Sequence, residues 1–420
     1  MRRVISGFVA VVVIASAAQL CAQTTPHSLP DYLRAALKEN PLVRSAEATQ
    51  ESAQYYSHSV RESFYPQVAV GSHVIAAPGY DQAITNGGEL AAQISGSYML
   101  YDGGVKSLET QSGDVGVEQS NLNRTRTIAD IVYAVSISYV SAVKQKRELG
   151  VVTEEYNALN EYLQLIKQLH ASGQGSETDL LKTTVDLNNA GIDIATRRTS
   201  YANALIALAQ ASGLPSSEVT DVDTSTVPLE YDTTFSGAKN VDIEGQRLAL
   251  QQAKLQADIV ASRMRPVVSL GADAGMFTSL PNLRNGLANV FGASVGVSVS
   301  LPIFTIGSLE DSYKASEAAA KSLFLQNQYN ESSIERQFEA TLNDISSADS
   351  QITAQHGNLV VARQNMIISK ARYAGGSGLS LEVLNAIQMV NQIELSIEEA
   401  RAARELGVLK LNRLNYTGVN

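Results

Sequence analysis

Five histidines, a serine flanked by glycines and a short glycine-rich run are the features of this 420-residue sequence that could carry chemistry. Gly292-Ala293-Ser294-Val295-Gly296 has the spacing of a nucleophile elbow, which exposes a serine on a sharp turn from strand into helix. Ser294, however, stands among residues that alternate with a period of two, so this segment reads as a strand that continues past it. His27, His58, His73, His170 and His356 have no metal-ligand spacing, and Gly375-Gly376-Ser377-Gly378 lacks the Lys-Ser/Thr that completes a phosphate loop. The sequence therefore predicts no catalytic residue, no cofactor and no metal site. Two acids, Asp179 and Glu382, each follow a glycine-rich turn, and their meaning depends on the elements that carry them.

Those elements are written twice. Phe64-Tyr65-Pro66-Gln67-Val68 recurs as Met264-Arg265-Pro266-Val267-Val268, 200 positions on (266 − 66). Leu100-Tyr101-Asp102-Gly103-Gly104 recurs as Ile303-Phe304-Thr305-Ile306-Gly307, and the turn beginning at Gly173 recurs at Gly376, both 203 positions on (307 − 104; 376 − 173). Such duplication is read before anything else, because each copy must be the same structural unit. Each half reads helix, strand, loop, strand, long helix, tight turn, shorter helix.

Pro41 suits a first helical position, so a helix is expected from there to about Glu62. From Pro66 to Ala76 and from Leu90 to Tyr101 the period becomes two. The second half alternates more cleanly, with Ser294, Gly296, Ser298 and Ser300 against Val295, Val297, Val299 and Leu301. A soluble sandwich would bury those valines, whereas a membrane barrel would turn them to lipid and the serines to a wet lumen. The helices decide between them. Ile128, Val135, Ala142, Leu149, Tyr156 and Leu163 recur every seven residues, as do Phe338, Ile345, Ile352, Leu359 and Met366. A helix from Val105 to Ala171 would extend roughly 100 Å at about 1.5 Å per residue, beyond what one globular domain can cover. Four strands per chain cannot close a barrel, since the smallest membrane barrels have about eight, so the chain must oligomerise.

The first residues have the plan of a secretory signal peptide over 1–22: Arg2 and Arg3, an apolar stretch from Gly7 to Ala18, and cleavage after Ala22, or alternatively after Ala18. Leu20 argues against lipidation of Cys21, the only cysteine. Removing 1–22 takes Lys+Arg from 32 to 30 against 42 Asp+Glu, so net charge moves from -10 to -12 and nucleic acid is not an expected partner. Beyond the signal no stretch reads as a transmembrane helix, which leaves a closed barrel as the way into a membrane. The expected divisions are 23–213 for the first repeat, an acidic linker over 214–236, and 237–420 for the second repeat.

Asn40-Pro41 after a short helix, Tyr65-Pro66 entering a strand, Tyr101-Asp102-Gly103-Gly104 leaving one and the paired Gly-x-Gly turns at Gly173 and Gly376 form an ordered set. In these marks the chain resembles the TolC-type outer-membrane efflux proteins from Leu29 to Tyr416. The resemblance implies a mixed α and β membrane protein: a homotrimer with a twelve-stranded β-barrel in outer-membrane lipid, continued by a periplasmic α-helical barrel with coiled-coil packing. It implies an outer-membrane channel of a tripartite efflux or type I secretion system, docked through a periplasmic adaptor protein onto an inner-membrane transporter. The rival reading is a structural coiled-coil surface protein or adhesin stalk. On the family pattern, residues 77–89 and 278–288 become cell-surface loops and the linker belts the tunnel.

The same resemblance places Gly173, Gly175, Gly376 and Gly378 in turns at the periplasmic tip, facing the adaptor. It places Glu382, Asn385, Tyr373 and Asp179 at the gate. The family carries two acids one turn apart on the helix of Glu382, and the second is here Asn385, so one ring would be neutral. A latching basic residue would fall on Gly378, which cannot form a salt bridge, while Tyr373 retains another latch position. Read from the residues alone, Ser176-x-x-Asp179 resembles a capping box. For Glu382 two readings stand side by side: an acid complementing a helix dipole, and one member of a charged ring.

Overall fold

The structure, a computed structural model, describes residues 28–81, 87–224, 230–237, 240–283, 290–303 and 307–416. The expected signal peptide with Cys21, the loop residues Asn86 and Asn285-Gly286, and Phe304-Thr305-Ile306 lie outside the described residues. In chain order the elements are α1 (Leu29–Glu39), α2 (Pro41–Glu62), β1 (Gln67–Ala76), β2 (Gly88–Tyr101), α3 (Val105–Ala171) and α4 (Glu177–Ser212). There follow α5 (Val241–Ser262), β3 (Val267–Ser279), the one-turn α6 (Leu280–Leu283), β4 (Phe291–Ser300), α7 (Ser308–Ala374) and α8 (Ser380–Asn415).

The duplication extends to element lengths: α2 and α5 have 22 residues each, α3 and α7 67 each, and α4 and α8 36 each. β3 has 13 residues against 10 in β1, which accounts for the slip of three between the two offsets. Local chemistry sets the boundaries. Asn240 caps α5 by accepting from the Ile243 amide at 3.0 Å. Asp102 accepts from the amides of Gly104 at 2.9 Å and Lys106, and so starts α3, while Gly103 and Gly104 take φ of 72° and 99°. A side chain at Gly103 would bring its Cβ to 2.7 Å from the Ser262 carbonyl oxygen. The Asp-Gly-Gly signature is thus the physical means of turning a strand directly into a helix.

The four strands form one antiparallel sheet in the order β1-β2-β3-β4. Paired residues share a face, so the register sorts the side chains. Val68 and Val70 on β1, Ile94 on β2, Leu270 on β3, and Val295, Val297 and Val299 on β4 lie on one face. Ser95, Ser97, Asp273, Ser294 and Ser298 lie on the other, where Ser269 and Ser298 join hydroxyls at 2.7 Å and His73 meets Glu89 at 3.0 Å. The apolar face is bare: Val70 is 82% and Val297 62% exposed.

The chain divides into two compact units, and neither coincides with a repeat. One unit comprises Leu42–Ala129, Thr233–Glu339 and Leu414–Asn420 and contains the sheet. Its helices pack through Val115, Leu248 and Leu255, and Gly113 allows Ser57 to within 3.3 Å of where a Cβ would stand. The other comprises Met1–Pro41, Asp130–Asp232 and Ala340–Arg413. Here the heptad positions Val135, Ala142, Leu163, Ile345 and Leu359 are buried. The linker is tied down as well: Tyr32 donates to the Asp221 carbonyl at 2.9 Å, and Tyr201 and Lys146 both reach Asp221 Oδ1 at 2.6 Å.

One expectation requires correction. Helix α3 contains an 18-residue window of mean hydropathy 1.3, apolar and long enough by composition to cross a bilayer. Its apolar character has a packing cause, since 44% of that window is buried within the protein, as a coiled-coil seam requires.

Candidate functional site

The paired turns between α3 and α4 and between α7 and α8 lie in one compact unit. They are built alike. The Gly173 amide donates to the His170 carbonyl at 2.9 Å, and the amides of Gln174 and Gly175 donate to that of Leu169 at 2.9 and 3.0 Å. In the second turn Gly376 donates to Tyr373 at 3.0 Å, and Ser377 and Gly378 donate to Arg372 at 2.9 and 3.0 Å. Gly173 and Gly376 take φ of 78° and 72°. Gly175 is required for space, because a Cβ there would lie 2.6 Å from the His170 nitrogen.

Beneath the turns lies an apolar cluster of Leu159, Tyr162, Ile166, Ala190, Tyr373, Val383, Leu384 and Ile387, drawn from all four helices. The rings of Tyr162 and Tyr373 meet edge to face at 5.4 Å. Each hydroxyl then crosses between repeats: Tyr373 Oη donates to Asp179 Oδ2 at 3.0 Å, and Tyr162 Oη to Ser380 Oγ at 2.9 Å. Burial, and then the Asp179 carboxylate that accepts its proton, push the Tyr373 hydroxyl up to about 12, so it remains a donor throughout the neutral range. Burial raises Tyr162 further still.

The expected site residues separate into two groups. Tyr373 and Asp179 are brought together. Ser176 caps α4 by accepting from the Thr178 amide at 3.2 Å, while the Asp179 carboxylate serves Tyr373. Glu382 sits in the first turn of α8, and its Oε2 lies 3.5 Å from Arg372 Nη1. Asn385 is exposed and lines a separate groove of ≈ 660 Å³ with Glu155, Gln388 and Gln392. Burial, then the charges of Asp193 and Asp186, raise Glu155 in that groove to about 7. Sequence reasoning passed over Tyr162, Ser380 and Arg372. Tyr162 is adjacent to the heptad position Leu163, and Arg372 is the repeat counterpart of Leu169 (372 − 169 = 203), so a cation at an otherwise apolar position was the available signal. Ser294 stands mid-strand with its Oγ 3.4 Å from Asp273 Oδ2, far from a strand-to-helix turn.

Comparison with known proteins places this geometry. A sequence model of the family described as outer membrane efflux protein matches residues 32–214 and 237–414. The outer membrane protein TolC of Salmonella enteritidis is 22% identical over 392 residues, covering 86% of this chain and 76% of the relative. Among solved structures, the outer membrane protein VceC of Vibrio cholerae superposes with a TM-score of 0.83 at 16% identity, over 93% of this chain and 97% of that one. The CmeC outer membrane channel of Campylobacter jejuni gives 0.80 at 15% identity, over 92% and 85%.

Proposed function

This chain belongs to the outer membrane efflux protein family, and from that premise we propose that three copies assemble into the outer-membrane channel of a tripartite efflux or type I secretion system. The observation that carries this reading is the sheet. It exposes a continuous apolar face, it lines the opposite face with serines and His73, and β1 and β4 stand at its two edges. An open edge and a bare apolar face are costly in water, and both are resolved when identical sheets close into a barrel in lipid. Three sheets of four strands make twelve, within the range of outer-membrane barrels.

On this reading the helices continue the barrel as a periplasmic tunnel, and the turns at Gly173, Gly175, Gly376 and Gly378 face a periplasmic adaptor protein and an inner-membrane transporter. Tyr373 and Asp179 hold the tip closed within each subunit, and Glu382 and Asn385 contribute rings at its mouth. The divisions 23–213, 214–236 and 237–420 are units of duplication rather than of packing. Substrates pass passively through the lumen, with no cofactor. The spacer reading draws no support from a sheet with one apolar and one polar face. Detergent-extracted protein sized by light scattering tests the assembly: a particle of three chains is expected, and a compact water-soluble monomer would overturn it.

A further inference from the structure

Arg372 stands in the last turn of α7, and two of its groups reach the turn that follows while a third reaches the first turn of α8. Its carbonyl accepts from the amides of Ser377 and Gly378, its Nη2 donates to the Ser377 carbonyl at 3.3 Å, and its Nη1 lies 3.5 Å from Glu382 Oε2. That Oε2 is buried and accepts no hydrogen bond of good geometry, so the guanidinium is the positive charge beside it. In the first repeat the counterpart is Leu169, whose carbonyl makes the same turn bonds while its side chain packs on the apolar cluster. The cation is therefore an addition of the second repeat, and the turn does not need it to form. A side chain at Gly378 would be tightly placed, with its Cβ 3.0 Å from Arg372 Cβ and from the Tyr373 nitrogen.

We infer that Arg372 sets the ionic selectivity of the tip mouth by neutralising Glu382 of its own chain; this rests on the reading of the tip as a channel mouth. The two side chains are 53% and 41% exposed, so the pair contributes little to stability. Its effect is on the field. With the guanidinium in place, three symmetry copies of Glu382 present little net charge, and with it removed three like charges share one opening and concentrate cations there.

Single-channel recordings of the full chain in planar bilayers test this, using asymmetric KCl and hexaamminecobalt(III) added on the side of the tip. Arg372→Gln should move the reversal potential toward cation preference and lower the half-blocking cobalt concentration on the order of tenfold. Glu382→Gln should move selectivity the other way by freeing Arg372, the double variant should return near wild type, and Arg372→Lys should match wild type. Trimer yield, followed in parallel, should be the same for all four variants, which a purely structural role for Arg372 does not predict. If wild type conducts and Arg372→Gln leaves both reversal potential and block unchanged, this inference fails and the channel reading stands. If wild type forms no channel, both fail together.

Discussion

Tyr373 donates from its hydroxyl to the Asp179 carboxylate at 3.0 Å, and this bond joins the second repeat to the first at the paired turns. The Tyr162 bond to Ser380 lies in the same cluster and also crosses between repeats. The two helical hairpins are therefore fastened to each other by two tyrosines over an apolar floor.

The first prediction concerns that fastening. A hydrogen bond to a charged group contributes about 1.5–3 kcal/mol, so Tyr373→Phe and Asp179→Asn should each lower thermal stability of this unit and raise conductance. Combined, they should do little more than either alone, because both remove one interaction. Strictly additive losses in the double variant would mean that the two side chains act independently.

The second concerns the faces of the sheet. Val297 lies on the apolar face and Ser298 on the polar one. Val297→Arg should cost about 2–4 kcal/mol at mid-bilayer depth, whereas Ser298→Arg should chiefly change conductance. Equal loss of folded protein from membranes in the two variants would invert the assignment of inside and outside.

The third concerns pH. Glu155 is raised to about 7 by burial and by Asp193 and Asp186, so the folded state retains a proton that the unfolded state has released. Stability from this group is greatest below the unfolded value near 4.5 and is lost as pH rises through about 7. Melting temperature should fall across that window, and Glu155→Gln should flatten the slope. An identical slope in the variant would remove Glu155 as its source.

The regular part of this fold was legible in the sequence because periodicity and turn chemistry act locally. Pro41, Gly104 and the heptad positions mark helices whose limits the structure reproduces, and the period of two marks β4 from Phe291 to Ser300. Contacts between distant segments left weaker traces. Tyr416, the only non-glycine residue with positive φ among those described, holds at 52° the place that Gly213 holds at 73° in the first repeat. Its hydroxyl donates to Asp242 at 2.8 Å, a compensation that no local pattern announces. The candidate site divides in the same way. The glycine turns follow from spacing, but which acid each turn-side residue meets depends on how four helices pack. The spacing of Asp179 matches a capping box, yet its carboxylate meets Tyr373, and Glu382 is paired with Arg372, a cation where the first repeat has Leu169.

The central claim is that identical chains close their sheets around a conducting lumen, and the most direct measurement is the current carried by the purified oligomer in a planar lipid bilayer. The account predicts discrete, stable openings whose conductance rises with salt and falls in Ser298→Arg. A pure, folded oligomer that inserts into the bilayer and carries no current, either as wild type or with the tip loosened by Tyr373→Phe, would contradict it.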